Sequence, residues 1–409
     1  MSDKKYMMQM IAGLDIGNGY VKGFASTDGN KGSGIDFPSG VAVVVNDRST
    51  KVRPVAAGPV IDDIFNEMAA TFDTPAVHSK ALRIFGARGV NADGVMEEFD
   101  VSSHRTKAEQ DLSVFLVLGC IAGRALQDYY AKYKALPDDI LHVNARIALA
   151  LPISEFKDYR KVYADKFTSV SHVVSIQNFE EPVRVEIRVS DAQVMAEGAS
   201  AQFAITDKGI PLIELMLQDL RGHGELFEGV TAKDIYAAKN TLGIDIGEGT
   251  VNFPVFRDGR FNSDISTTML KGYGTVLDQA LAPLAANNIP FGSRRALVEF
   301  MLEPVSPLKR TQHQVVDRIV SELMETFSMQ IEAEFRKILS KIGVFTEVIY
   351  VYGGGANAVK NYLYDRLIEV GKDVTPNGVG FPILYLDSNY SRYLNREGLY
   401  SIARHIAEG

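Results

Sequence analysis

The sequence predicts an α/β protein built from two related half-domains. Three observations carry this reading. Apolar runs of strand length alternate with helical stretches through both halves of the chain. A short phrase occurs twice, as Gly13-Leu14-Asp15-Ile16-Gly17-Asn18-Gly19 and as Gly243-Ile244-Asp245-Ile246-Gly247-Glu248-Gly249-Thr250. The length, 409 residues, exceeds what one hydrophobic core comfortably serves.

Met10 to Leu14, Val21 to Ala25 and Val41 to Val45 are apolar runs that read as strands, with Phe37-Pro38-Ser39-Gly40 a turn into the third. Residues 58–73 are mixed and read as irregular or a short helix. Lys107 to Tyr133 has helical periodicity with one apolar face. Ile147 to Leu151 is a buried-type strand ending at Pro152, and Ser154 to Phe167 is a charged helix. Val173 to Ile176 and Val183 to Val189 pair as a hairpin. Val194 to Ala199 enters a helix of small residues. Residues 207–238 form a bridge of loop and helix to the second phrase. Ile265 to Leu270 leads through Lys271-Gly272-Tyr273-Gly274 into a helix. In Val315 to Lys341, Ile319, Leu323, Phe327, Ile331, Phe335 and Leu339 share one face, which makes it the strongest helix of the chain and a core element. Val348 to Tyr352 is a strand running into Gly353-Gly354-Gly355-Ala356, and a helix follows. Phe381 to Leu386 is a last strand, and Asn395 to Glu408 a closing helix.

Each copy of the phrase sets an Asp and a Gly-rich turn between two apolar runs, which reads as a β-hairpin. Glycine lets the main chain approach a ligand closely. Successive N–H groups in such a turn form a concave anion site. A carboxylate there repels phosphate, so Asp15 and Asp245 are assigned to a metal, through water. Mg²⁺ keeps several waters and binds through one or two carboxylates plus substrate phosphates. Gly17, Asn18 and Gly19, with Gly247, Glu248, Gly249 and Thr250, are the phosphate contacts. Two such hairpins imply half-domains that grip one polyphosphate, each from its own side. Gly353, Gly354 and Gly355, between a strand and a helix starting at Ala356, are a third phosphate or nucleoside contact, helped by the helix N-terminus.

Composition narrows the rest. A net charge of −8 argues against broad direct binding to DNA. The single cysteine, Cys120, lies in an apolar run, so it reads as a buried thiol, and no internal disulfide can form. Seven histidines lack metal-ligand spacing. The polar N-terminus is not a signal-peptide core, and no uninterrupted apolar stretch reaches membrane-spanning length. The expectation is a cytoplasmic protein with no membrane partner.

The order of hairpin, connecting helix, second hairpin, second connecting helix and Gly-Gly-Gly loop resembles the actin, sugar kinase and DnaK chaperone superfamily. Within it the chain is most similar to the bacterial actin-like proteins of the ParM type. Asp15-Ile16-Gly17-Asn18 with Lys22 resembles that family's first phosphate motif. Leu151-Pro152-Ile153-Ser154-Glu155-Phe156 resembles its Leu-Pro segment at a strand end. Val194-Met195-Ala196-Glu197-Gly198 resembles the segment bearing its catalytic glutamate, and Asn395-Arg396-Glu397-Gly398-Leu399-Tyr400 its closing helix entry. The second hairpin departs from the pattern: Asn252 stands where an Asp is usual, and Glu248 where a glycine is.

The resemblance implies an actin-like fold, two related α/β domains flanking a nucleotide cleft, with domain I as 1–205 joined by 389–409 and domain II as 206–388. It implies an ATPase in which Lys22 reaches the β- and γ-phosphates and Glu197 orients or deprotonates the attacking water, with Asp15 and Asp245 completing the catalytic set. Gly272 and Gly274 fall in the second connecting segment, packed near ribose and phosphates. ATP with Mg²⁺ is the expected cofactor, with GTP open because the base contacts are unassigned. The implied activity is ATP-promoted assembly into a homopolymer that hydrolysis loosens, working in plasmid or DNA segregation through a DNA-bound adaptor protein rather than by direct DNA binding. A small-molecule kinase of the sugar or acetate type on the same fold is the alternative. It needs a catalytic Asp beside an acceptor pocket, for which the sequence offers no candidate.

Overall fold

A computed structural model describes residues 5–29, 32–44, 57–92, 94–100, 105–221, 227, 229–386 and 388–408. The chain divides into two compact units, Met1–Asp207 with Asn395–Gly409, and Lys208–Leu394.

Unit 1 is built on a mixed sheet of ten strands among the described residues: β1 (Met7–Ile16), β2 (Tyr20–Thr27), β3 (Ser33–Pro38), β4 (Val41–Val44), β5 (Ala69–Asp73), β6 (Leu82–Ile84), β7 (Val95–Glu97), β8 (Leu141–Leu151), β9 (Ser171–Ile176) and β10 (Val183–Ala196). Their order is β3-β2-β1-β8-β10-β9-β5-β6-β4-β7. The central trio β1, β8 and β10 is parallel. At its heart β8 is buried without a break from Ile147 to Leu151, as strands covered on both faces are. Short helices α1 (Ala57–Asp62), α2 (Ile64–Glu67) and α3 (Gly86–Val90) precede the long α4 (Asp111–Tyr133), and α5 (Ile153–Thr168) follows β8. By length and composition α4 is apolar enough to cross a membrane, but 89% of its most apolar stretch is buried within the protein, where it is a core helix. Cys120 sits buried on it.

The helix after β10, α6 (Ala199–Arg221), breaks at Gly209, whose φ of 64° lies in the left-handed region. The short α7 (Ala232–Ala237) then follows in unit 2. Its sheet centres on the fully buried β11 (Thr241–Ile246). One edge of β11 pairs with β12 (Val251–Phe253) and β13 (Val255–Arg257), and the other runs parallel to β16 (Val348–Tyr352). β14 (Arg260–Phe261), β15 (Thr267–Met269) and β17 (Ile383–Tyr385) complete it. Helices α8 (Tyr273–Ala286), α9 (Arg294–Leu302), α10 (Arg310–Ile342) and α11 (Ala356–Val374) supply the apolar cover. On α10 the expected stripe is buried at Ile319, Phe327, Ile331, Phe335 and Leu339, and half-buried at Leu323. After α12 (Ser388–Ser391), α13 (Leu394–Glu408) closes unit 1. It packs Leu399, Ile402 and Ala403 on Ala148 and Ala150. A Cβ on Gly398 would lie 1.8 Å from the Ser200 carbonyl oxygen, so only glycine allows α13 this close to α6.

Several elements differ from the sequence expectation. Phe37 and Pro38 end strand β3 instead of forming a turn; Ile35 and Phe37 alternate inward, and Pro38 closes an edge strand, where proline is tolerated. Residues 58–73 hold α1, α2 and β5. β8 starts at Leu141 and β10 runs on to Ala196, because outward polar residues such as Asn144 and Asp191 interrupt their apolar runs. α4 proper starts at Asp111, after a 3₁₀ turn at Lys107–Glu109. Val45, and 222–226 and 228 of the predicted bridge, lie outside the described residues.

Candidate functional site

In unit 1 the first phrase forms the hairpin of β1 and β2, with Asp15 opposite Lys22 and Ile16 opposite Val21. The Gly17 N–H donates to the Tyr20 carbonyl at 3.0 Å, which closes the turn. Ser39 braces it from β3's end: its hydroxyl donates to the Gly17 carbonyl at 2.6 Å and its N–H to that of Gly19 at 3.0 Å. The amides of Asn18 and Gly19 have no partner among the described residues, and both residues are half-buried. They form the nest that an anion fits.

Glu197 sits between the end of β10 and the start of α6, its N–H donating to the Leu151 carbonyl at 2.7 Å. Its carboxylate is held by a residue the sequence reading missed: Lys107 Nζ donates to Glu197 Oε1 at 2.5 Å. Lys107 is only 4% exposed. The turn that carries it is fixed twice. Thr106 donates its N–H and hydroxyl to Glu109 Oε2, each at 2.8 Å, and the Glu155 carboxylate lies beside the backbone of Lys107 and Ala108. The Thr106-x-x-Glu109 capping box was readable as a helix start. Nothing local marks Lys107 as a partner for a side chain ninety positions later.

Five charged groups therefore share this end of the unit 1 sheet. Burial pushes the Asp15 carboxyl above its ordinary value; Lys22 and Lys107 oppose that shift and Glu197 adds to it. Burial works against the Lys107 charge, but Glu197, with Asp15 and Glu155 behind it, holds the ammonium above its ordinary value. Burial also raises Glu155, against the pull of Lys107 and its backbone. A buried, desolvated carboxylate such as Asp15 is the donor a hard cation relieves.

In unit 2 the second phrase forms the hairpin of β11 and β12, with Asp245 opposite Asn252. The Gly247 N–H donates to the Thr250 carbonyl at 2.9 Å, matching the first hairpin's closure. Asn252 is 2% exposed and organises its neighbours: Nδ2 donates to Thr250 Oγ1 at 3.4 Å, and Oδ1 accepts from the Thr268 hydroxyl at 2.8 Å. The amides of Glu248, Gly249 and Thr250 have no partner among the described residues. Two further turns converge on the hairpin. At the start of α8 the N–H groups of Tyr273 and Gly274 donate to the carbonyls of Gly247 and Glu248, at 3.0 and 2.9 Å. Gly272 and Gly274 thus dock the hairpin through packing and backbone bonds. In the Gly353-Gly354-Gly355 loop, the amides of Gly353 and Gly355 donate to the carbonyls of Ser391 and Ile246, at 3.3 and 2.8 Å, and that of Ala356 to the Gly353 carbonyl at 3.2 Å. Only Gly354 is exposed. Gly353 has φ +103°, and a Cβ there would lie 2.4 Å from the Ile246 carbonyl oxygen and 2.5 Å from Asp245 Oδ1.

Each unit thus gathers its own predicted residues: Asp15, Gly17, Asn18, Gly19, Lys22 and Glu197 in one, and Asp245, the 247–250 turn, Gly272, Gly274 and 353–356 in the other. Among the described residues no three His, Cys, Asp or Glu side chains form a metal cluster. One buried carboxylate per hairpin suits a cation that keeps its waters better than an all-protein cage.

Residues 13–199 match the family described as the actin-like proteins' N-terminal domain. Among solved structures, Bacillus thuringiensis ParM with ATP superposes with a TM-score of 0.61 at 16% identity, covering 98% of this chain and 100% of that one. The fold is that of the actin-like proteins. The actin-like protein Alp7A gives a TM-score of 0.64 at 14% identity, covering 98% of this chain and 97% of its own. The archaeal actin homologue Ta0583 gives 0.61 at 14% identity, over 98% and 100%. No curated protein matches the sequence. The ParM of Bacillus thuringiensis is also known with ADP and with AMPPNP.

Proposed function

We propose that this chain is an ATPase that assembles into filaments when it binds ATP and Mg²⁺, and that hydrolysis loosens the assembly. The observation that carries the reading is the twin construction of the hairpins, each with a buried Asp and amides without partners. In unit 1 the amides of Asn18 and Gly19 contact phosphate, Lys22 supplies a cation beside them, and Asp15 would be the residue that holds the metal. In unit 2 the Glu248, Gly249 and Thr250 amides would do the same work, with Asp245 as that hairpin's metal-facing carboxylate and Gly354 facing the nucleoside. When bound, Mg²⁺ neutralises phosphate charge. Glu197 takes the proton of the attacking water or orients it, as a general base within hydrogen-bond reach does. Lys107 fixes that carboxylate in place. The loss of γ-phosphate contacts on hydrolysis biases a two-state element between assembled and free forms.

The acidic charge of −8 favours an indirect link to DNA, so the wider role we propose is plasmid or DNA segregation through a DNA-bound adaptor. Sedimentation and electron microscopy with and without ATP and Mg²⁺ test the assembly. Pelleted filaments with ATP are expected; ATP hydrolysis by a chain that never pellets would refute the filament. ATP-dependent phosphorylation of a sugar or short acid would favour the kinase reading instead.

A further inference from the structure

Glu248 is the odd residue of the second hairpin. It puts a carboxylate on a turn whose amides are read as phosphate ligands, where its charge would repel the ligand. The fold deals with that charge. Glu248 Oε1 lies 3.0 Å from Nη2 of Arg294, the first residue of α9. The same guanidinium donates through Nη1 to Asp278 Oδ2 on α8 at 3.2 Å. Arg294 is thereby braced from a second helix while it holds Glu248. Gly274 makes the arrangement possible: a Cβ there would lie 2.3 Å from Arg294 Nη1 and 2.7 Å from Glu248 Cγ.

We propose that Arg294 is a positioning residue for nucleotide binding. It draws the Glu248 carboxylate to the α9 side of the hairpin and cancels its charge, so the neighbouring amides stay open to an anion. This rests on the reading of the 247–250 turn as a phosphate site. The Glu248 and Arg294 side chains are 30% and 34% exposed, so the effect weakens with added salt. It also scales with ligand charge, being largest for ATP, smaller for ADP and absent for adenosine.

The test is equilibrium binding of MgATP, ADP and adenosine to the full chain and to Arg294→Ala, Arg294→Lys, Glu248→Ala and the Arg294→Ala/Glu248→Ala double variant. Arg294→Ala is expected to weaken ATP binding roughly tenfold at low salt, as an uncancelled charge a few ångströms away does. Arg294→Lys retains most of the affinity. Removing Glu248 in the Arg294→Ala background restores the loss, the non-additivity a double-mutant cycle detects. A double variant no better than Arg294→Ala would make Arg294 a direct phosphate ligand and overturn the proposal. So would an unchanged Arg294→Ala, or an equal loss for adenosine. Asp245→Asn separates the two readings. If it leaves ATP affinity intact, the hairpin is no phosphate site and both readings fall. If it weakens ATP while Arg294→Ala does not, only this inference fails.

Discussion

Lys107→Met removes the cation from a buried ion pair and leaves Glu197 beside two other acidic groups. The side chains of Lys107 and Glu197 are 4% and 11% exposed, and Nζ lies 2.5 Å from Oε1. At 11% exposure the Glu197 carboxylate loses its ammonium partner with little water to replace it, and Asp15 and Glu155 add repulsion where Lys107 had opposed it. Removing one partner of a buried pair costs about 3–5 kcal/mol. Methionine fills nearly the same volume, so packing adds little. Glu197→Gln alone strands Lys107 and falls in the same range. The double variant Lys107→Met/Glu197→Gln strands neither charge and costs far less than the sum. Native-state hydrogen exchange reads this locally: amides of β8 and β10 in Lys107→Met exchange roughly 10²–10⁴-fold faster, while those of β11 and β16 do not change. If the double variant costs as much as both singles added, the pair is not an interacting unit and the argument fails.

Glu197→Gln is also expected to lower the ATPase rate by about 10²–10⁴-fold while ATP-dependent pelleting persists; lost pelleting with normal hydrolysis would reverse the assigned role. Asp15 is a buried carboxyl raised by desolvation from its ordinary value of 3.8. Its penalty on the nucleotide-free fold is absent below that value, grows as pH rises, and is complete above the raised folded value. Asp15→Asn without metal or nucleotide should therefore melt higher than the parent chain at pH 8, with the advantage vanishing toward pH 3.8; an advantage independent of pH would contradict this. Gly353→Ala places a Cβ at φ +103° against the Ile246 carbonyl, so unit 2 should lose at least about 2 kcal/mol and ATP affinity should fall with it. An alanine variant with unchanged melting and affinity would show that the loop relaxes freely.

The hairpins were legible because their chemistry is local: an Asp and closely spaced glycines within seven or eight residues specify turn, nest and carboxylate together. The helix α10 was legible for the same reason, its stripe being written at a single period. What stayed hidden depends on distant partners. Lys107 looks like any helix-start lysine until the fold brings Glu197 to it. Gly274 looks like helix entry until Arg294 and Glu248 are placed around it. The strands β5, β6 and β7 are short, and the edge strand β3 ends in proline, so neither length nor composition separates them from loop. Nor does sequence reveal that the Gly353 and Gly355 amides are tied to Ser391 and Ile246, which leaves Gly354 as the exposed member of its loop.

The affinity of MgATP for Asp15→Ala and for Asp245→Ala, each measured by titration calorimetry against the parent chain, bears most directly on the twin-hairpin account. Loss of binding in both variants, with the other unit's core amides still protected, is the expected result. Full affinity in either one would remove that hairpin from the nucleotide site.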